Sequence, residues 1–464
     1  MKKNCVLALS AACVILSCQS SLLFAKEGTQ AQQAFQQAFS KDSFVEQLQE
    51  TLDTSSVKDA LALFEELPAD QREDFDLMYL KAALNLSAGN YKEASAICSS
   101  LNQKNPGNTD VMELGLTVAI AGGNTKEKNR LVKALLEKDK YNVTANISLA
   151  DDYFRKKNYK QSRIYYSKAL SREPSNEDAL LGVGRASYFM EDDEKAEETF
   201  NTIVKNNPSS ASAYSYLGKI AAASSKNKKA ADYAAKALEL EPENYDYNLD
   251  YGLYESVMGH YDNAIGAWTK AIEIQPDYFL AYAYRAGLYD QEEELDKALD
   301  DYRNVVKYNP DYYFAWESIG VIELHKQNWA SARAAFEKCY EKQKDNISYP
   351  LMITFCYFKE KNPMKAKSFS DKVLSKTDKS TIEYAMLRCY HDQGGGAMPL
   401  PQKISTIQSR QKQGKMYFYM GLLSELYSST TESNEWYAKV LAMNSPMFFE
   451  YRLAEWSVGN KNAN

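Results

Sequence analysis

Three histidines, seven cysteines and one run of three glycines are the residues of this 464-residue chain whose types could support chemistry. His260, His325 and His391 each lack a second histidine at metal-ligand spacing, so each reads as a solvated side chain rather than a ligand. Gly394-Gly395-Gly396 is not followed by Lys-Ser or Lys-Thr and so reads as a widened turn, not a phosphate loop. The acidic run Glu292-Glu293-Glu294 with Asp296, Asp300 and Asp301 lacks calcium-loop spacing and reads as a solvated hairpin turn. No nucleophile elbow and no HExxH is present. These residues predict no catalysis, no cofactor, no metal and no small-molecule substrate. Residues 126–172 hold 13 Lys and Arg against 5 Asp and Glu. That excess would suit an anionic surface such as lipid headgroups or wall polymer, although an ordinary charged exterior explains it more simply.

The cysteines separate into two groups. Cys5, Cys13 and Cys18 lie in or at the end of an N-terminal stretch in which Lys2 and Lys3 precede apolar Val6 to Leu16. That arrangement is an export signal, too short to span a bilayer comfortably. Two processing sites stay open. Ile15-Leu16-Ser17-Cys18 resembles a bacterial lipobox, whose cysteine is lipidated, and Leu23-Phe24-Ala25 resembles an ordinary signal-peptidase site; the lipobox is preferred. The expectation is an exported protein of the periplasm or outer membrane, lipid-anchored through Cys18, with a tether at 26–40. Cys98, Cys339, Cys356 and Cys389 match no metal spacing and read as small buried hydrophobes. Apolar residues at 45% and charged residues at 25% suit an ordered chain. A net charge of −7 without a long basic run argues against nucleic acid as a partner.

The positioning elements announce themselves through proline. Pro174, Pro208, Pro242, Pro276 and Pro310 are spaced by thirty-four residues. With these at place 32 of a unit, place 20 is Ala60, Ala94, Lys128, Ser162, Ala196, Ala230, Ala264, Ala298, Ala332 and Ala366. Place 8 reads Gly184, Gly218, Gly252, Ala286 and Gly320, and place 24 includes Tyr166, Phe200, Trp268, Tyr302 and Phe336. This resembles the tetratricopeptide repeat. The resemblance implies an all-α fold, a TPR α-solenoid in which antiparallel helical hairpins form a right-handed superhelix. Helix A would cover places 2–14 and helix B places 18–31. Places 8 and 20 would mark their closest crossing, and places 24 and 27 would pack on the next hairpin. Ten hairpins are expected over 41–379, two degenerate ones over 380–446 and a closing helix over 447–459. The third unit carries Lys128 and Lys140 where Ala and Pro belong, which would distort it.

In that family, places 2, 5, 9, 12 and 13 of helix A line a concave face that binds peptides. Carried over residue by residue, the resemblance implies Asp151, Phe154, Arg155, Leu181, Arg185, Tyr188, Phe189, Lys219, Leu249, Leu253, Asp290, Glu317, Val321, Leu324, Leu351, Phe355 and Phe358 as partner-binding residues. The first half of this face is mixed and charged; the second is apolar and would be costly to expose, so either a partner covers it or neighbouring hairpins or the closing helix do. Phe355 and Phe358 are expected to face the groove together. The functional expectation is a non-catalytic protein–protein interaction scaffold of the bacterial cell envelope, holding another envelope protein or peptide. The alternatives are an accessory factor in cell-wall or outer-membrane assembly, or a non-catalytic subunit of an envelope enzyme complex.

Overall fold

The computed structural model describes residues 39–427 and 430–462. The export signal, Cys18 and nearly all of the tether lie outside the described residues. The chain divides into two compact units, Met1–Ile220 and Ala221–Asn464.

In the first unit, helices A begin at residues 41, 75, 109, 143, 177 and 211, and helices B at 57, 91, 125, 159 and 193. In the second, helices B begin at 227, 261, 295, 329 and 363, and helices A at 245, 279, 313 and 348. Apart from the helix at 348, which begins at place 2, these helices start at places 1 and 17, one residue earlier than expected. Asparagine caps several of these starts. Asn108, Asn142 and Asn176, at place 34 of the preceding unit, accept from the backbone N–H of Val111, Ala145 and Ala179 at 3.0, 2.9 and 3.0 Å. Asn124, Asn158 and Asn362 cap helices B in the same way at place 16.

The turn inside each hairpin has one demanding position. Place 15 is left-handed in Gly89, Gly123 and Gly259, and equally in Lys157, Glu191, Ser225, Glu293, Gln327 and Lys361. From there the chain closes back on helix A: Asn158 N–H donates to the Tyr153 carbonyl at 2.9 Å and Asn362 N–H to that of Tyr357 at 2.9 Å.

Packing within a hairpin follows from side-chain size. The place-20 alanines are fully buried, and Ser162 at that place donates its hydroxyl to the Ala150 carbonyl at 2.9 Å. Place 24 lies on place 8 of its own hairpin: a Cβ on Gly184 would stand 2.7 Å from the Phe200 ring, on Gly252 2.5 Å from Trp268, and on Gly320 2.8 Å from Phe336. The same rings reach the next hairpin, since Phe200 stacks on Tyr216 at 4.9 Å and Trp268 on Tyr284 at 5.6 Å. Each of these rings therefore bridges two hairpins, and at Gly184, Gly252 and Gly320 a Cβ would collide with it.

The third hairpin keeps regular helices, Thr109–Ala121 and Thr125–Lys138, despite Lys128. Its alkyl stem lies in the interface while its ammonium reaches both carboxylate oxygens of Asp152 at 2.6 Å, so no distortion follows.

After Leu374 the register slips through Ile382–His391 and the short Leu400–Ser405, with a wide turn at 392–399. It returns in Arg410–Tyr427 and Thr430–Ala442, where a Cβ on Gly421 would meet Tyr437 at 2.4 Å. A last helix, Phe449–Asn462, follows. Cys98, Cys339, Cys356 and Cys389 are unpaired and buried, and burial pushes the Cys98 thiol up to about 12 and that of Cys389 to about 11.

Candidate partner-binding face

The residues at places 9, 12 and 13 of the helices 143–155 and 177–188 do meet on one face. The Arg185 guanidinium lies 4.5 Å over the Phe154 ring, which meets Tyr159 at 5.2 Å and Phe189 at 5.5 Å edge-on. Phe189 stacks on Tyr159 at 5.1 Å and remains 45% exposed. Tyr188 meets Phe189 at 5.4 Å and Tyr216 at 5.5 Å, and Lys219 lies 5.6 Å over Tyr216. Asp151 accepts the Tyr166 hydroxyl, and burial holds its carboxyl above the usual range against the pull of Arg155 and Arg185. Leu181 is half-buried. Arg155 turns outward and pairs with Asp152. Tyr159 and Tyr216 belong to this ring cluster although the repeat pattern did not name them. They sit at places 17 and 6, outside the positions that the resemblance transfers.

The second unit presents a different face. Val321, Leu324, Leu351 and Phe355 are 4%, 8%, 0% and 1% exposed and belong to one apolar core. This corrects the expectation of an open apolar groove there. The cover is the chain's own C-terminal part: Phe418, Leu422, Leu453 and their neighbours close over these side chains. Phe358 stays half-buried against Tyr427 at 5.9 Å, so Phe355 and Phe358 do not face outward together. Leu249 and Leu253 are half-buried against hairpin cores, and the Leu249 carbonyl accepts the Trp268 indole N–H at 3.2 Å.

The last helix also claims the polar positions. Arg452 donates to Asp290 at 2.7 Å and pairs with Glu293 at 3.3 Å. Trp456 donates to Glu293 at 3.2 Å, with its ring on His325 at 4.2 Å. Glu450 is fully buried and accepts from the Ser348 and Tyr419 hydroxyls at 2.5 and 2.8 Å. Glu317 accepts the Tyr349 hydroxyl at 2.5 Å. Burial raises the carboxyl pKa of both Asp290 and Glu317. Nothing in the repeat pattern signalled Arg452 or Trp456 as residues that would occupy this face.

The remaining chemistry-bearing residues are tied into local pairs. His260 faces Glu255 at 3.2 Å, and His391 lies between Asp371 at 3.0 Å and Asp392 at 2.6 Å. Among the described residues, no group of three or more His, Cys, Asp or Glu could hold a metal ion, and no helix is long and apolar enough to cross a membrane.

Residues 153–220 match one family model described as tetratricopeptide repeat, and residues 288–347 match another. Among curated proteins, the chain is 25% identical over 194 residues to human Protein O-mannosyl-transferase TMTC1, covering 42% of this chain and 19% of that one. It is 23% identical over 215 residues to anaphase-promoting complex subunit 3 of Schizosaccharomyces pombe, covering 46% of this chain and 32% of that one. The chain thus spans about a fifth and a third of these two relatives. The solved structure of PilF from Pseudomonas aeruginosa is 15% identical, with 47% of this chain and 99% of that chain covered at a TM-score of 0.43. The described residues form an all-α series of helical hairpins, within which 153–220 and 288–347 match tetratricopeptide-repeat models.

Proposed function

We propose that this protein is a non-catalytic scaffold of the bacterial cell envelope that binds another protein or peptide along the helix-A face of its first unit. The observation that carries the reading is the open cluster of Phe154, Tyr159, Tyr188, Phe189 and Arg185. Its rings pack on one another, and Phe189 is 45% exposed. Aromatic and arginine side chains supply most of the energy in protein interfaces when a partner desolvates them. The equivalent face of the second unit is filled by that unit's own C-terminal part.

A photo-reactive residue placed at Phe189 tests this in cells, with exposed Ser167 on a helix B as the control. Discrete adducts from position 189 and not from 167 are expected. Equal adducts from both would move the contact off this face. The envelope part of the reading rests on Lys2, Lys3, the apolar stretch Val6 to Leu16 and Cys18. Labelled fatty acid should enter the protein and be lost in Cys18→Ser; if it never enters, cleavage after Ala25 is the route.

A further inference from the structure

Two features of the first unit's face say what kind of segment it suits. The first is the seating of Arg185: its Nε is buried without a hydrogen-bond partner, its guanidinium lies 4.5 Å over the Phe154 ring, and Asp151 attracts it without a hydrogen bond. A guanidinium so placed presents its remaining edge to a planar carboxylate, the geometry that arginine favours. The second is the surrounding charge. Residues 126–172 hold 13 basic against 5 acidic side chains, and exposed Lys156, Lys157 and Lys160 flank Tyr159 at the edge of the ring cluster. The acidic member of the face, Asp151, already accepts the Tyr166 hydroxyl. The second unit supplies a contrast, because there the helix-A carboxylate Asp290 and the turn carboxylate Glu293 are met by Arg452 of the same unit. In the first unit the exposed charge beside Tyr159 is positive.

We infer that the face formed by Phe154, Phe189 and Arg185 selects an acidic peptide segment carrying an aromatic or aliphatic anchor. The anchor seats on the Phe189–Tyr159 rings and a neighbouring carboxylate bonds Arg185, while the lysines around Tyr159 act at longer range. This rests on the reading of the same face as the binding site.

Three fluorescent octapeptides test it on the full chain: Glu-Glu-Trp-Glu-Glu-Leu-Glu-Glu, its Gln analogue and its Lys analogue, all amidated so that no terminal carboxylate takes part. The acidic peptide should bind about tenfold more tightly than the Gln analogue, with the advantage shrinking between about 50 and 300 mM salt. Arg185→Gln should bring the acidic peptide and the Gln analogue to equal affinity, with melting followed on the same preparation to separate loss of contact from loss of fold. Arg185→Lys keeps the charge but not the flat fork, and should restore only part of the advantage. Equal binding of all three peptides, lost in Phe154→Ser/Phe189→Ser, would keep the face and overturn the acidic preference. An acidic preference untouched by any of these variants would overturn the face itself. Binding to phosphatidylglycerol vesicles with no preference among peptides would replace the peptide with a membrane surface. No binding by any peptide would overturn both readings.

Discussion

A single side chain in this repeat is judged by the space left at its place. Ala298 sits at place 20 with no exposed surface, among Leu299, Tyr302 and Ile319. Ala298→Leu therefore adds volume where a close-packed core has none, and should cost about 1–3 kcal/mol in chemical denaturation. Unchanged stability would mean the two helices do not cross there. Glu317 is judged by its surroundings instead. Burial raises its folded pKa above the usual value of 4.5 for glutamate. With the folded pKa raised, its contribution is most favourable below the unfolded value and is lost as pH rises through the folded one. Glu317→Gln keeps an acceptor for Tyr349 but cannot ionise. Its stability relative to the parent should thus increase between pH 4.5 and pH 7, as urea melts at the two pH values would show. A constant difference would mean that the carboxylate is not penalised by burial.

Elements are set by their ends and their hidden faces. Lys361 holds φ at 58° between the helices Ser348–Lys359 and Pro363–Leu374. That conformation is costly for a residue with a Cβ and free for glycine, so Lys361→Gly should raise stability by about 0.5–1 kcal/mol. The opposite sign would show that its side chain has a contact that outweighs the strain. On the next helix inward, Phe355 meets Trp329 edge-on at 6.0 Å and is 1% exposed. Phe355→Ser should cost about 3–5 kcal/mol, through the cavity and the added hydroxyl. Near-native melting of that variant would return the ring to the surface. The helical periodicity placed Phe355 on the correct face of its helix. The apolar character of that face left two outcomes open, cover by a partner or by the closing helix and its neighbours, and contacts far apart in sequence decide for the second.

Each unit gains stability mainly between neighbouring hairpins, so loss at one end should stay local. Deleting Phe449–Asn462 removes the partner of Phe336 at 5.9 Å, the buried Glu450 and the Arg452–Asp290 pair. Hydrogen exchange should then lose protection across 313–442 and keep it across 75–206. Loss across both spans would show that the chain unfolds as one cooperative body. The legible part of this protein is what repeats in sequence. Helix order, the small residue at place 20 and the aromatic at place 24 arise from contacts within thirty-four residues or with the next repeat, so local spacing carries them. The caps at Asn108, Asn124, Asn142, Asn158, Asn176 and Asn362 are local too and were readable. What only the tertiary structure decided is which stretch of the helix-A face stays open. Solvent exposure there depends on contacts such as Arg452 with Asp290, which are far apart in sequence and obey no period. Such pairings form because the terminal apolar surface must be buried by whatever segment the chain can fold back, and the repeat pattern contains no record of that segment.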